Sequence, residues 1–243
     1  TGVSAGASFG ATVSMVLGIE IISGAYGMVI NAFIFSLIPT TLIMVIATMK
    51  KLSPVSIIMI GVCLMYVFNS ATSILKLWAD PNALQALYRW SVGSISNAGW
   101  EAVPPMGICT VLGSAALILL SSRINYLSMG DETAKTMGIN VDNLRLSVMA
   151  IISLVTASIV SFTGLIGFVG LIAPHICRLF IGSDNRFLLP ASAVCGMILV
   201  IISDLIGRTV IAPAVLQVGV VTSFVGAPLL ILLIMRKSKK VFS

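Results

Sequence analysis

The chain has 243 residues, 58% of them hydrophobic and 9% charged, with a mean hydropathy of +1.12 and a net charge of +6. A soluble domain carries roughly 25% charged residues, so this chain lacks the polar groups to cover a globular surface in water. That excludes a soluble enzyme, a nucleic-acid-binding domain and a disordered chain, and it leaves a polytopic membrane protein.

A span with its loop takes roughly 30 residues, so the length allows about eight crossings. Backbone groups in lipid must bond within their own segment, so the expected fold is all-α, a transmembrane helical bundle. In chain order, apolar runs predict crossings at roughly 3–21, 26–48, 54–77, 102–122, 143–163, 171–182, 188–207 and 219–235. The first carries Gly2, Gly6 and Gly10 at every fourth position among small residues. Such a stripe lets helix backbones approach closely in lipid. Between the third and fourth crossings lies a polar stretch, Ala79 to Glu101. Its Asp80-Pro81-Asn82 opening reads as a helix start and predicts a short surface helix ending near Trp90.

The loop from Ser121 to Asn140, after the fourth crossing, is the most informative polar segment. Asp131 and Glu132 suit the positive end of a helix dipole, and Gly138 suits a C-terminal cap. A helix of about two turns is expected at roughly 131–138, with Asn140 or Asp142 capping the next helix. The segment reads either as a capped surface loop or as a docking helix for a cytoplasmic motor. The sixth crossing is too short to span comfortably and is expected to be tilted or broken.

Orientation follows from the positive-inside rule. If the first helix starts in the cytoplasm, the inner side holds Lys50, Lys51, Arg123, Lys135, Arg145, Arg178, Arg186, Arg236, Lys237, Lys239 and Lys240. Its acids are Asp131, Glu132, Asp142 and Asp184. The outer side has Lys76, Arg89 and Arg208 against Glu20, Asp80, Glu101 and Asp204. The basic excess is thus a topology signal that places the C-terminus in the cytoplasm. It calls for no nucleic acid, although anionic membrane lipid at the inner face fits it.

The chemistry that is missing narrows the function further. No G-x-x-x-x-G-K-[ST] occurs, so the chain has no P-loop for ATP. There is no H-E-x-x-H, and the adjacent acidic pair Asp131-Glu132 lies in a predicted loop. Cys63, Cys109, Cys177 and Cys195 have no metal-ligand spacing and read as small buried hydrophobes. The single histidine, His175 after Pro174, reads as a hydrogen-bonded helix-end residue. No catalytic group, metal site or cofactor is therefore expected, which argues against an intramembrane enzyme. An ion-coupled secondary transporter or channel, the alternative class, usually keeps ionisable groups at mid-membrane. Here the crossings are nearly free of charge away from their ends, apart from Asp204 and Arg208, which can pair at i, i+4. What remains is transport with energy supplied elsewhere.

At the 121–140 loop the sequence resembles the permeases of the FecCD family, membrane subunits of ATP-binding-cassette importers for ferric siderophores, haem and cobalamin. Gly2-Val3-Ser4-Ala5-Gly6-Ala7-Ser8 is similar to the family's G-x-S-x-G-A-x segment. Gly130 to Gly138 resembles its G-x-x-x-A-x-x-x-G coupling segment. The most specific likeness runs from Gly164 to His175 and on through Arg178, Gly182, Asp184, Arg186, Leu189 and Pro190. Asp204 and Arg208, Val218-Gly219-Val220-Val221-Thr222 and Gly226-Ala227-Pro228 complete it in order. The chain departs from the family at Val215 and Gln217, where Glu and Pro are common, and at Asn185, where His is common.

The resemblance implies a single transmembrane permease domain over 1–243, without enzymatic activity, in the cell (inner) membrane. The family typically has ten crossings, which implies about two helices ahead of Thr1, in keeping with the absent initial methionine. It implies two permease chains, identical or closely related, with the path at their interface. It further implies two cytoplasmic P-loop ATPase subunits and an extracytoplasmic substrate-binding protein. The ATPases would couple through Gly130, Asp131, Glu132, Ala134, Lys135 and Gly138. Ser53 and Pro54 would lie near the cytoplasmic gate, where an ordinary helix start is the competing reading. Arg208 would meet a carboxylate of the binding protein, with a salt bridge to Asp204 as its competing role.

Overall fold

Each polar punctuation mark in the sequence becomes a helix boundary in the computed structural model, which describes residues 2–24, 26–50, 53–211 and 213–239. The chain runs α1 (Val3–Leu17), α2 (Gly27–Met49), α3 (Pro54–Lys76), α4 (Pro81–Ser91), α5 (Val103–Ser128), α6 (Asp131–Thr136), α7 (Val141–Thr163), α8 (Val169–Ile181), α9 (Asn185–Thr209) and α10 (Val218–Lys239). Among the described residues there is no strand. Thr1, Lys51 and Lys240 lie outside the described residues.

Four N-termini are capped by side chains that satisfy an otherwise orphan amide. Ser53 Oγ accepts from the Ser56 amide, Asp80 from Ala83, Asn140 from Asn143 and Asp184 from Arg186. Among the described residues, five helices are long and apolar enough to cross a membrane: α2, α3, α5 with the turn before it, α7 and α9. Val3–Leu17 and Val169–Ile181 are shorter apolar helices.

α1 stops four residues earlier than the apolar run suggested. Gly18 turns left-handed (φ 65°) and donates its amide to the Ser14 carbonyl at 3.0 Å. Asn31, fully buried on α2, then fixes the returning loop. Its Nδ2 donates to the Ile19 carbonyl at 2.7 Å and its Oδ1 accepts from the Ile21 amide at 3.0 Å. The glycine stripe presses α1 onto α2. A Cβ at Gly6 would sit 2.3 Å from the Phe35 carbonyl oxygen, and one at Gly10 would sit 2.5 Å from that of Asn31. Only glycine permits that approach. α7 packs on the same pair, and the buried Thr40 and Ser153 hydroxyls bond at 2.9 Å.

α4 is more than a surface helix. It docks at the end of the bundle opposite Lys50 with Leu87 and Trp90 buried, and Trp90 reaches a core of Ala7, Ala11, Ala32 and Val160. An 11-residue helix with apolar residues on one side buries that side wherever small residues leave room, as the alanines of α1 and α2 do here.

α8 has 13 residues, so it is about 20 Å long and falls short of a ~30 Å hydrocarbon core. The expected broken crossing is thus realised as a short helix behind an irregular run, 164–168. Phe168 there is left-handed (φ 66°), the one non-glycine with positive φ among the described residues. Irregular backbone at membrane depth needs protein cover. The end of α4, the turn after it and the start of α10 supply it: a Cβ at Gly164 would sit 2.0 Å from the Trp90 carbonyl oxygen, and Cβ atoms at Gly93 and Gly219 would sit 2.3 and 2.9 Å from that of Leu165. Pro174 and His175 lie inside α8, so His175 is not a helix-end residue. A proline is tolerated there because the helix is in its second turn and only the Gly170 carbonyl loses a partner. Of the cysteines only Cys177 is buried; Cys63 is exposed on α3.

Candidate coupling site and translocation surface

α6 is a short helix held at both ends. Asp131 and Glu132 occupy its first turn and Lys135 its last, the order that complements the helix dipole. At its C-terminus the Gly138 amide donates to the Lys135 carbonyl at 2.9 Å, and the Ile139 amide reaches back to Ala134 at 3.1 Å. This paired closure requires a left-handed residue at position 138, and Gly138 supplies it with φ 77°. Ala134 is fully buried, which seats the middle of α6 on the bundle.

An ion pair fixes the other side. Arg145 Nη2, in the second turn of α7, donates to both oxygens of Asp131 at 3.0 and 3.1 Å. The Arg145 side chain is 16% exposed and that of Asp131 39%. Asp131 and Ala134 therefore face the bundle. Glu132, Thr133, Lys135, Thr136 and Met137 are exposed and form a free outer face. In the sequence Arg145 counted only as a topology charge. The available signal was its place in the second turn of a helix whose start lies a short turn from Asp131.

The same end of the bundle is braced a second time. Asn125 near the end of α5 accepts from both the backbone amide and the Nδ2 of Asn185 at 2.8 Å. Its own amide donates to Asp184 Oδ1 at 2.7 Å, and Arg186 Nε donates to Ser122 Oγ at 3.1 Å. The Arg186 backbone amide, and then the Asn125 amide, hold the Asp184 carboxyl below the usual carboxylate range. Asn185, where the resembling family often has His, thus has a defined partner. Between α5 and the turn into α7 lies a polar hollow of about 540 Å³ lined by Arg123, Gly138, Asn140 and Asn143.

Ser53 and Pro54 stand apart from α6, on α3. Ser53 Oγ accepts the Ser56 amide at 3.2 Å and Pro54 opens the helix, so the pair makes an ordinary capped start. Arg208 lies at the opposite end of the bundle. Its Nε donates to Asp204 Oδ2 at 2.8 Å, as the i, i+4 spacing predicted, and its Nη2 donates to Ser96 Oγ at 3.0 Å. At 51% side-chain exposure the guanidinium still faces out. Among the described residues there is no cluster of three or more metal-binding side chains.

The outward faces of the helices differ in chemistry. On α3, Cys63, Tyr66, Ser70 and Ser73 are all exposed, with Asn69 beside them. Their spacing of three, four and three puts them on one stripe of the helix. On α9 the exposed residues within the span are Pro190, Ala193, Val194, Met197, Ile198, Ile201, Ile202, Leu205 and Ile206, all apolar.

The fold is thus a bundle of apolar helices with nearly uncharged spans and a tethered polar helix at one end. The chain belongs to the FecCD transport family, which it matches over residues 1–236, and is a multi-pass ABC transporter permease of the cell (inner) membrane. It is 37% identical to an ABC transporter permease of Methanocaldococcus jannaschii over 99% of this chain and 71% of that protein. It is 34% identical to the ferric enterobactin transport system permease of Escherichia coli (98% and 71%) and 31% identical to the hemin transport system permease of Yersinia pestis (98% and 72%). Among solved structures it resembles a metal-chelate type ABC transporter in an inward-facing conformation. The TM-score is 0.89 at 28% identity, covering 97% of this chain and 74% of that one.

Proposed function

We propose that this chain is the membrane-spanning subunit of an importer that carries an iron chelate, haem or cobalamin inward, driven by ATP hydrolysis on separate subunits. The observation that carries the reading is the construction of α6. It is capped at its C-terminus, buried at Ala134 and ion-paired through Asp131 to α7, with its outer face left free. A short rigid helix of this kind transmits a displacement applied to its outer face, and a hinged loop would absorb it. Glu132, Lys135 and their exposed neighbours meet the ATPase, while Asp131 and Arg145 fix the lever to α7. Nucleotide biases the lever between two positions.

In this reading the α6 end and the C-terminus are cytoplasmic, and the excess of basic residues at that end supports this orientation. Two copies, or this chain and a close relative, face each other across the path, and the polar stripe of α3 lines it. Ser53 and Pro54 stand at the inner mouth. At the outer end Arg208 exchanges its Ser96 contact for a carboxylate of the binding protein. Iron chelates and cobalamin are the cargo class because the enterobactin, hemin and cobalamin permeases are all relatives over nearly the whole chain.

The test is co-purification and reconstitution of the full-length protein with its partners. The expected result is a stoichiometric P-loop ATPase whose hydrolysis is stimulated by the loaded binding protein. Charge reversal at both Glu132 and Lys135 is expected to cut that stimulation while membrane insertion is unchanged. Uptake driven by an ion gradient with no ATPase present would overturn the proposal in favour of a secondary carrier.

A further inference from the structure

We infer that the chain holds a zwitterionic lipid headgroup of the phosphoethanolamine type in a pocket at the bundle end opposite α6. The pocket, about 470 Å³, lies between the ends of α1 and α2, the docked α4 and the turn before α5. Its size falls within the range of small-molecule sites. Trp90 lines it and is 4% exposed, yet its indole Nε1 has no acceptor among the described residues. A buried donor without a partner costs on the order of a full hydrogen bond, so the site needs an acceptor.

The rest of the lining defines that acceptor. Arg89, adjacent to Trp90 and exposed at the rim, adds a guanidinium that has no carboxylate within ion-pair distance among the described residues. An indole N–H and a guanidinium lining one cavity select an oxygen-rich anion such as a phosphate ester. Glu101 also lines the rim, and Tyr26 donates its hydroxyl to one carboxylate oxygen, which leaves acceptor capacity for an ammonium group. Met15 and Phe162 give the pocket an apolar side. Anion-seeking, cation-seeking and apolar surfaces in one cavity match a zwitterionic head joined to a hydrocarbon body.

The position favours a membrane lipid over a soluble zwitterion. The pocket sits where α1 ends and α2 and α5 begin, at the boundary of the apolar spans. Trp78, Tyr88 and Trp100 at the same end are 70%, 68% and 90% exposed. Exposed aromatic residues of this kind belong at the headgroup level of a bilayer.

The experiment is native mass spectrometry of the full-length protein in detergent, titrated with phosphatidylethanolamine, phosphatidylglycerol or free phosphoethanolamine. One phosphatidylethanolamine per chain is expected to bind in preference to phosphatidylglycerol. Trp90→Phe keeps the ring, removes the donor and is expected to weaken binding about tenfold. Arg89→Gln should do the same, and Glu101→Gln should erase the preference for the amine-bearing lipid. Wild-type protein without that preference overturns the inference, as does unchanged retention in Trp90→Phe and Arg89→Gln. Free phosphoethanolamine binding as tightly as the lipid overturns the lipid assignment. If a variant fails to fold, the wild-type competition decides alone.

Discussion

α3 and α9 are helices of similar length and both turn a broad face outward, yet those faces differ in chemistry. Between Phe187 and Ile206 the fully exposed side chains of α9 are all apolar. In water that face would aggregate; in a bilayer it costs nothing, because lipid is as apolar as the side chains. α3 mixes Val55, Ile58 and Val62 with the stripe of Cys63, Tyr66, Ser70 and Ser73. Polar groups in hydrocarbon are costly, so the proposed pathway role of α3 predicts that this stripe borders water or another protein. In a membrane protein, exposure carries little information until it is read together with polarity.

The largest effect that could break this contrast comes from a charge placed near the middle of each helix. Ile198→Arg on α9 should cost about 3 kcal/mol of membrane stability, the value for a basic residue at a span centre. Tyr66→Arg on α3 should cost much less if that face meets water. Yield of folded protein and thermal stability in detergent-free nanodiscs would measure both. Equal losses would place α3 against lipid and remove the pathway role of the stripe. The native thiols sharpen the same point without a charge. Cys63 should react with a membrane-impermeant maleimide while the buried Cys177 stays unlabelled, because the thiolate is the reactive form and needs water. Cys63→Ser should abolish that labelling.

A second contrast is between glycines. Gly6→Ala drives a methyl group to 2.3 Å from the Phe35 carbonyl oxygen, whereas a Cβ at Gly196 of α9 meets its nearest atom, Val169 Cγ1, at 3.5 Å. Gly6→Ala should therefore destabilise by about 1–3 kcal/mol, the range for overpacking. Gly196→Ala should be neutral or better. A melt of each variant checks this, and a tolerated Gly6→Ala would mean that α1 and α2 can separate.

Much of this was legible in the sequence, because membrane helices announce themselves by long apolar runs and their ends by Ser53, Asp80, Asn140 and Gly138. The small-residue stripe of α1 was legible for the same reason: one residue type serves one packing need. Three features were not. The burial of Trp90 depends on space left by alanines of α1 and α2, far away in sequence. The polar stripe of α3 dissolves in an apolar run until its neighbours are known. The Asp131–Arg145 pair joins two elements across a turn whose path is set by Gly138. None of these is local, and local patterns were all that the sequence displayed.

The Asp131–Arg145 pair should matter more for coupling than for stability. With Asp131 39% exposed, the pair is worth about 1 kcal/mol or less. Arg145→Ala should thus lower the melting temperature slightly but reduce cargo-stimulated ATPase activity several-fold, because the lever loses its fixed end. The exchange Asp131→Arg with Arg145→Asp should restore part of the coupling. Restored stability without restored coupling would show that the pair only seats α6.

The smallest effect is at Asp184, and its sign follows from linkage. The Arg186 amide and Asn125 hold its carboxyl below the ordinary value when the chain is folded. A depressed folded-state pKa contributes stability above the unfolded value, near 3.9, and that contribution is lost as pH falls through the lower folded value. Between pH 7 and about pH 5 that contribution is fully present, and thermal stability should not change through this residue. Below about pH 4 the wild type should lose stability that Asp184→Asn lacks from the start, so the two melting curves converge in acid. Parallel curves down to pH 3 would mean that the brace between α5 and α9 does not depend on the carboxylate. It would then rest on Asn125 and Asn185, whose two 2.8 Å bonds are indifferent to pH in this range. Separating those two cases shows whether the α6 end of the apolar helices is held by charge or by neutral hydrogen bonds.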